Sequence, residues 1–472
     1  VLRQRAGGTR AAADRALAGI GHWLSRHQGV IRAMQWGVIA LYLVLVAVPA
    51  FLELPQRTAH IWSNLTLAAQ FLFWGIWWPF VLLSMVLVGR SWCGLFCPEG
   101  ALTEIVSRHS LGRHVPRWIT WGGWPFVAFG LTTIYGQMVS VYQYPKPVLA
   151  VLGGSTIAAI AVGLVYGRNK RVWCRYLCPV NGVFAVLAKV APVAFQVDQK
   201  AWTQSQRDKL ADATACPKPI NCAPLVPIRT MKSASPCHMC GRCDGFRGSI
   251  RLGLRSPNHE IVNVAGDQPN AWESALILFG MMGIALGAFH WSSSPWFVEA
   301  KQRLAEWLVN HDVLWPLESS APWWVLTNYP AQNDTMTLLD GAVLVLYIGA
   351  TALAFGAALA TLVVLATRIA GRWSGARFHH FVQTLIPIAA CGVFLGLFSL
   401  TTTLLKAEGL SFAWLGMLRA ALLAGAATWS AWLAWRVAGH YAAGFARLGA
   451  TVSVCAAASL SVFGWALLFF VW

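Results

Sequence analysis

Nine runs of mostly apolar residues recur along the chain, at 31–52, 67–89, 118–141, 148–166, 271–292, 338–366, 381–405, 411–435 and 448–472. A helix rises about 1.5 Å per residue, so about 20 such residues cross a hydrocarbon core of about 30 Å. The pattern predicts an all-α polytopic membrane protein with about nine transmembrane helices. The polar stretches between them are unequal and divide the chain. A basic arm covers 1–30, four spans lie within 31–190, a polar segment rich in Pro and Lys/Arg fills 191–270, and five spans lie within 271–472. Between 293 and 337, PWFVEAKQRLAEWLVNHDVLW sets Phe297, Leu304, Trp307 and Leu308 at helical spacing among charges. That predicts an amphipathic helix lying in the outer interface.

Composition agrees with the pattern. Of 472 residues, 57% are hydrophobic and 11% charged, against about 25% charged in soluble domains. The +18 net charge has a topological use. Basic residues gather in 1–30, 90–117, 167–270, 367–378 and near Arg436 and Arg447, which are alternate connections. By the positive-inside tendency these face the cytoplasm, with the N-terminus inside. The charge is dispersed over loops and not gathered in one domain, so no nucleic-acid partner is expected.

The first four spans carry a duplication. One half reads GRSWCGLFCPEG and the other GRNKRVWCRYLCPVNG. Trp92, Cys93, Cys97 and Pro98 recur as Trp173, Cys174, Cys178 and Pro179, each set following a helical hairpin. Both copies therefore emerge on one face of the membrane.

Of 11 cysteines, Cys391 and Cys455 lie inside apolar runs and read as small buried hydrophobes. The rest fall between 93 and 243, on the side assigned to the reducing cytoplasm, where clustered cysteines bind metal more often than they form disulfides. Cys237, Cys240 and Cys243 make a C-x2-C-x2-C run, three quarters of a bacterial ferredoxin motif. Two-residue gaps let a tight loop wrap three thiolates around one cubane, and Gly241 relieves the backbone there. The fourth ligand must come from elsewhere: Cys216, which precedes a proline as the remote ferredoxin ligand does, is the expected one, with Cys222, nearer in sequence, as the alternative. Cys93, Cys97, Cys174 and Cys178 can hold one cluster between the two copies, or each C-x3-C can lend a ligand to a neighbouring cluster. Both partitions give two [4Fe–4S] clusters. C-x3-C fits a zinc site loosely and C-x2-C-x2-C fits it poorly. His238, inside the triplet, is expected to face solvent. Arg90, Arg108, Lys170, Arg171, Arg175 and Arg242 surround these positions, where cations favour a reduced cluster.

Duplicated C-x3-C-P motifs after helical hairpins, followed by a ferredoxin-like run, resemble the membrane polyferredoxins. These include the quinol-oxidising membrane subunit of periplasmic nitrate reduction, the membrane electron donor of nitrous oxide reduction and an assembly ferredoxin of cbb3-type oxidases. The resemblance covers about residues 30–250. It implies a multi-pass protein of the bacterial inner membrane, with a small ferredoxin-like module and its clusters on the cytoplasmic side. The chain departs from the family in having one incomplete cysteine run and five further spans.

No acid–base pair is visible, so the expected chemistry is electron transfer in an oxidoreductase complex. The reading is transfer between the quinone pool, or a cytoplasmic donor, and a respiratory or periplasmic partner such as a haem or copper protein. Candidate quinone contacts are His60, Tyr142, Gln143, Tyr144 and His290, all expected near the outer interface. An assembly factor that reduces copper or thiols, and a cluster-regulated transporter, are the alternatives.

Overall fold

The computed structural model describes residues 2–56, 58–211 and 220–472, so Cys216 lies outside the described residues. Among them, seven helices are long and apolar enough to cross a membrane: Gln28–Phe51, Leu65–Val88, Pro145–Tyr166, Ala271–His290, Leu338–Ile369, Ile386–Ala407 and Gly444–Val471. Local chemistry sets where they start. The Asn64 side chain accepts from the Thr66 and Leu67 N–H groups, and Asn270 does the same for Trp272 and Glu273. Each thereby satisfies donors that a helix start leaves orphaned. Pro145 opens its helix in the first turn, where its missing N–H costs nothing. Thr337 and Asp340 form a reciprocal capping box.

Two predicted runs fold differently. The 118–141 run yields only Trp124–Met138, 15 residues long, or about 22 Å. Gly122, Gly123 and Pro125 delay its start, and Ser140 follows its end in the left-handed region at φ 50°. The 411–435 run becomes Leu415–Ala438, which is long enough, but Arg419 and Arg436 and many small residues dilute its apolarity. The Arg419 guanidinium donates to Ser399 Oγ at 3.1 Å and lies over the Phe469 ring. The fold also contains short strands. Val193–Val197 pairs antiparallel with Ile250–Leu254, and Asn328–Tyr329 with Asp334–Thr335.

The chain forms two compact units. The first comprises 1–43, 81–124 and 156–264. Its two-stranded sheet packs Phe195, Ile250 and Leu252 with Trp202 and Met239, and Cys237 and Cys243 sit against this cluster. Glu260, 1% exposed, accepts from the Ala234 N–H at 3.0 Å and from Arg255 at 2.5 Å. Arg255 also donates to the Ala188, Lys189 and Ala191 carbonyls, so this arginine is an internal clamp. The 237–243 loop lies directly on the first Trp-Cys motif. A Cβ added at Gly94 would stand 1.9 Å from the His238 carbonyl oxygen and 2.9 Å from the Cys240 nitrogen.

The second unit comprises 44–80, 125–155 and 265–472. Its long helices approach through small residues, which substitute for a hydrophobic driving force between helices in lipid. A Cβ at Gly283 would meet the Ala352 backbone at 2.9 Å, and one at Gly392 would stand 2.0 Å from Trp465 Nε1. The amphipathic segment forms the helix Pro295–Asn310. Phe297, Leu304 and Leu308 enter the core of this unit. Trp307 does not. It is 53% exposed and stacks on His311. Cys391 and Cys455 are partly buried, less enclosed than the small buried hydrophobes expected.

Two substitutions test this packing. Gly392→Ala drives a methyl into the Trp465 indole and should lower stability by about 1–3 kcal/mol, read as a lower thermal midpoint in detergent. An unchanged midpoint would contradict the approach of these two helices. Gly94→Ala should displace the 237–243 loop and reduce the iron the chain retains, without removing its membrane helices. Iron analysis checks this, and full iron retention would contradict the contact.

Candidate metal centre

The two Trp-Cys copies fold alike. Cys93 lies in the one-turn helix Ser91–Leu95 and Cys174 in Val172–Tyr176. In the first copy the Phe96 and Cys97 N–H groups both donate to the Trp92 carbonyl, and in the second Leu177 and Cys178 donate to Trp173. The shared acceptor closes each C-x3-C into the same compact turn. The tryptophans differ: Trp92 stacks on Phe96, whereas Trp173 Nε1 donates to Glu99 Oε2 at 3.1 Å.

The thiols of both copies lie within electrostatic range of one another. Burial pushes the Cys97 thiol well up, and neighbouring Cys174 and Cys93 push it further. Cys178 is raised by burial, then by Glu99, Cys174 and Cys97. Cys174 is pushed up to about 12 by burial, against the opposing charge of Arg171. These four sulfurs share one environment.

A second group forms around the triplet. Burial pushes Cys237 up to about 12, with Cys240 and Cys222 adding to the shift. Cys243 rises through burial and the proximity of Cys237, Cys240 and Cys222. Cys222 is raised by burial and has Cys240 beside it. The second copy holds this cysteine in position, because Lys170 Nζ donates to the Cys222 carbonyl at 3.1 Å and the Arg171 N–H to Ala223 at 2.8 Å. Gly241 is left-handed at φ 77°, and a Cβ there would stand 2.4 Å from Leu24 Cβ. His238 is 2% exposed, which corrects the expectation that it faces solvent. The loop turns it inward because its own carbonyl lies on Gly94. Burial, then Arg90, Arg171 and Arg175, hold its ring well below the usual imidazole range, so it is neutral.

The arginines expected around these cysteines are organised by a carboxylate that the sequence reading passed over, Glu104. Arg171, 1% exposed, donates through Nε to Glu104 Oε2 at 2.7 Å and through Nη1 to the Cys93 carbonyl at 2.6 Å. Arg242, between two triplet cysteines, reaches Glu104 Oε1 at 2.6 Å. Burial raises the Glu104 carboxyl, but Arg171 and Arg242 outweigh that and lower it overall. The available signal was that Glu99 and Glu104 are the only carboxylates in the strongly basic loop 90–117. Arg90 stands three residues before Cys93, as Arg171 stands before Cys174. It is 3% exposed and donates to the Ser235 carbonyl at 3.0 Å and to Asn181 Oδ1 at 2.7 Å.

These residues fit an iron–sulfur cluster. The thiols are partly or wholly removed from water, and backbone N–H groups of Gly100 and Met239 donate to Cys97 Sγ and Cys237 Sγ, each at 3.4 Å. Such donors, with buried guanidinium groups, stabilise thiolates that metal has deprotonated. Among the described residues no three His, Cys, Asp or Glu side chains converge as on a single ion. A cubane asks for a wider ring, because each sulfur binds a different iron. A bound cluster supplies one-electron transfer, at a potential set by net charge, hydrogen bonds and exposure.

The residues proposed for quinone are dispersed. Tyr142, Gln143 and Tyr144 line a cavity of about 20 Å³, room for about one water. The Tyr144 hydroxyl donates to Asp334 at 2.7 Å and its ring stacks on Tyr329. His60 pairs with Glu408 at 2.9 Å. His290 is buried against Trp465 and Trp472. Neither histidine lines that cavity. A larger cavity in the second unit, about 440 Å³, was not foreseen. Leu278, Phe279, Ala360 and Phe378 line it, with a hydrogen-bonded pair, Ser274 Oγ and His379 Nδ1, at 2.8 Å.

Comparison with known proteins finds a described domain over the two Trp-Cys copies. The family described as "4Fe-4S binding domain" matches residues 70–119 and 151–197, the two Trp-Cys copies with their preceding helices. The chain is 25% identical over 241 residues to the putative electron transport protein YccM of Escherichia coli (strain K12), covering 45% of this chain and 65% of that protein. It is 27% identical over 126 residues to the methylamine utilization ferredoxin-type protein MauN of Methylorubrum extorquens, covering 24% of this chain and 43% of MauN. It is 26% identical over 133 residues to the regulatory protein NosR of Pseudomonas aeruginosa, covering 24% of this chain and 19% of NosR. The chain thus spans less than two thirds of each of these relatives. No solved structure matches it. The duplicated cysteine motif, the apolar helices and these relatives make the chain similar to the membrane polyferredoxins, iron–sulfur proteins of electron transport.

Proposed function

We propose that the protein passes single electrons through two [4Fe–4S] clusters, between the quinone pool or a cytoplasmic donor and a respiratory or periplasmic redox partner. The observation that supports this is the sorting of eight described thiols into two groups of four. Cys93, Cys97, Cys174 and Cys178 would hold one cluster, and Cys222, Cys237, Cys240 and Cys243 the other. Cys222 is the fourth ligand proposed here, since its thiol neighbours the triplet, while Cys216 lies outside the described residues. The 237–243 loop lies against Gly94 of the first Trp-Cys copy, so an electron would have a short path between the groups. The basic loops would keep both clusters on the cytoplasmic side of the bacterial inner membrane.

For quinone, the larger cavity is a better candidate than the outer residues. Its apolar walls suit a quinone ring, and the Ser274–His379 pair can exchange hydrogen bonds with a ring oxygen. It is bordered by the widened π-type turn Leu276–Ile284, a local geometry frequent at functional sites.

Two measurements test this function. Cys222→Ser should lose one cubane's worth of iron, whereas Cys216→Ser should keep it; the reverse result would move the ligand assignment to Cys216. Ser274→Ala and His379→Gln should each slow cluster reduction by a short-chain quinol about tenfold, the effect of one hydrogen bond of roughly 1.4 kcal/mol. Cluster content should stay at the wild-type level. Wild-type rates in both variants would remove this cavity from the account.

A further inference from the structure

The first unit contains a polar cavity of about 340 Å³ that the electron-transfer reading does not use. Two helix faces and a loop edge build it. Gln28, Ile31, Arg32 and Gln35 lie on successive turns of one helix, Gln28–Ala47. Ala101, Glu104, Ile105 and Arg108 repeat the same spacing across Pro98–Val106 and the turn after it. Residues separated by three and four positions share one helix face, so each helix presents an arginine to the cavity. Asn169, Asn221 and Arg242 close the remaining side.

Charge in this cavity is unbalanced. Glu104 is its single lining carboxylate, and Arg171 and Arg242 already engage it at 2.7 and 2.6 Å. Arg32 and Arg108 have no hydrogen-bond or ion-pair partner among the described residues. Two uncommitted guanidinium forks flanked by side-chain amides match the geometry of a phosphate group. The apolar edge of the cavity, Ile31 and Ile105, adjoins the start of a membrane-spanning helix. On the Arg32 face of that helix Trp36 and Leu43 are each 50% exposed. A small free anion would use only the arginines. A molecule with a phosphate and acyl chains would use both the arginines and the exposed apolar flank.

We propose that this cavity binds the phosphate headgroup of an anionic phospholipid, with the acyl chains lying along helix Gln28–Phe51. Basic pockets beside membrane helices are suited to such headgroups. One wall is continuous with the cysteine loop, since Gln28 Nε2 donates to the Cys240 carbonyl at 3.1 Å and Arg242 Nε to Gln28 Oε1 at 3.1 Å. The headgroup therefore braces the segment that carries the triplet.

The test uses the full chain in nanodiscs of mixed phosphatidylglycerol and phosphatidylcholine, followed by native mass spectrometry of the lipid each protein retains. The wild type should retain phosphatidylglycerol selectively. Arg32→Gln/Arg108→Gln should lose about tenfold of that retention, and Arg32→Lys/Arg108→Lys should recover part of it, which separates lost charge from misfolding. Equal retention of both lipids, or wild-type selectivity in the glutamine variant, would overturn the proposal. Displacement of the lipid by millimolar inorganic phosphate would mark a free-anion site and overturn it as well.

Discussion

A single carboxylate ties the cysteine-bearing segments together. Glu104 follows the first Trp-Cys motif, accepts from Arg171 just ahead of the second, and accepts from Arg242 inside the triplet. Removing one partner from a buried ion pair costs about 3–5 kcal/mol, because the remaining charge is stranded. Here both sides of the pair are needed. Burial alone would raise the Glu104 carboxyl, and Arg171, at 1% exposure, would have no counter-charge. The loops that carry the sulfurs are short and mostly irregular, so long-range contacts of this kind set their positions.

The duplication is kept in local geometry and broken where the two copies take different roles. Each copy closes its C-x3-C on the tryptophan carbonyl. Gly94 and Arg175, however, occupy the same place in the repeat, and only glycine leaves room for the His238 carbonyl. One copy therefore receives the ferredoxin-like loop, while Arg175 gives its carbonyl to Asn181 Nδ2 at 3.1 Å. A symmetric pair of motifs thereby carries an asymmetric pair of thiol groups.

Features governed by local chemistry were legible in the sequence. Apolar length gave seven of the spans, the repeated Trp-Cys spacing marked the matching turns, and Gly241 takes the left-handed conformation that a tight cysteine loop needs. What depends on distant partners was not legible. The Val193–Val197 strand needs its partner more than fifty residues on. His238 turns inward because Gly94 holds its backbone, and Glu104 gains its role from arginines far along the chain. The 118–141 run shows a further limit: apolar composition did not reveal that Pro125 and Ser140 would cut the helix short. The Ser274–His379 cavity joins two segments that no sequence motif connects.

On the proposed assignment two clusters lie within reach of one another, with a sulfur of each group, Cys174 and Cys240, in the electrostatic surroundings of Arg171. Electron paramagnetic resonance of the fully reduced, anaerobically purified chain, with iron and acid-labile sulfide counted on the same sample, tests it most directly. Iron and sulfide for two cubanes per chain are expected, with a spectrum broadened by spin–spin interaction between them. Iron for a single cubane, or two fully loaded clusters whose spectra show no mutual interaction, would contradict it.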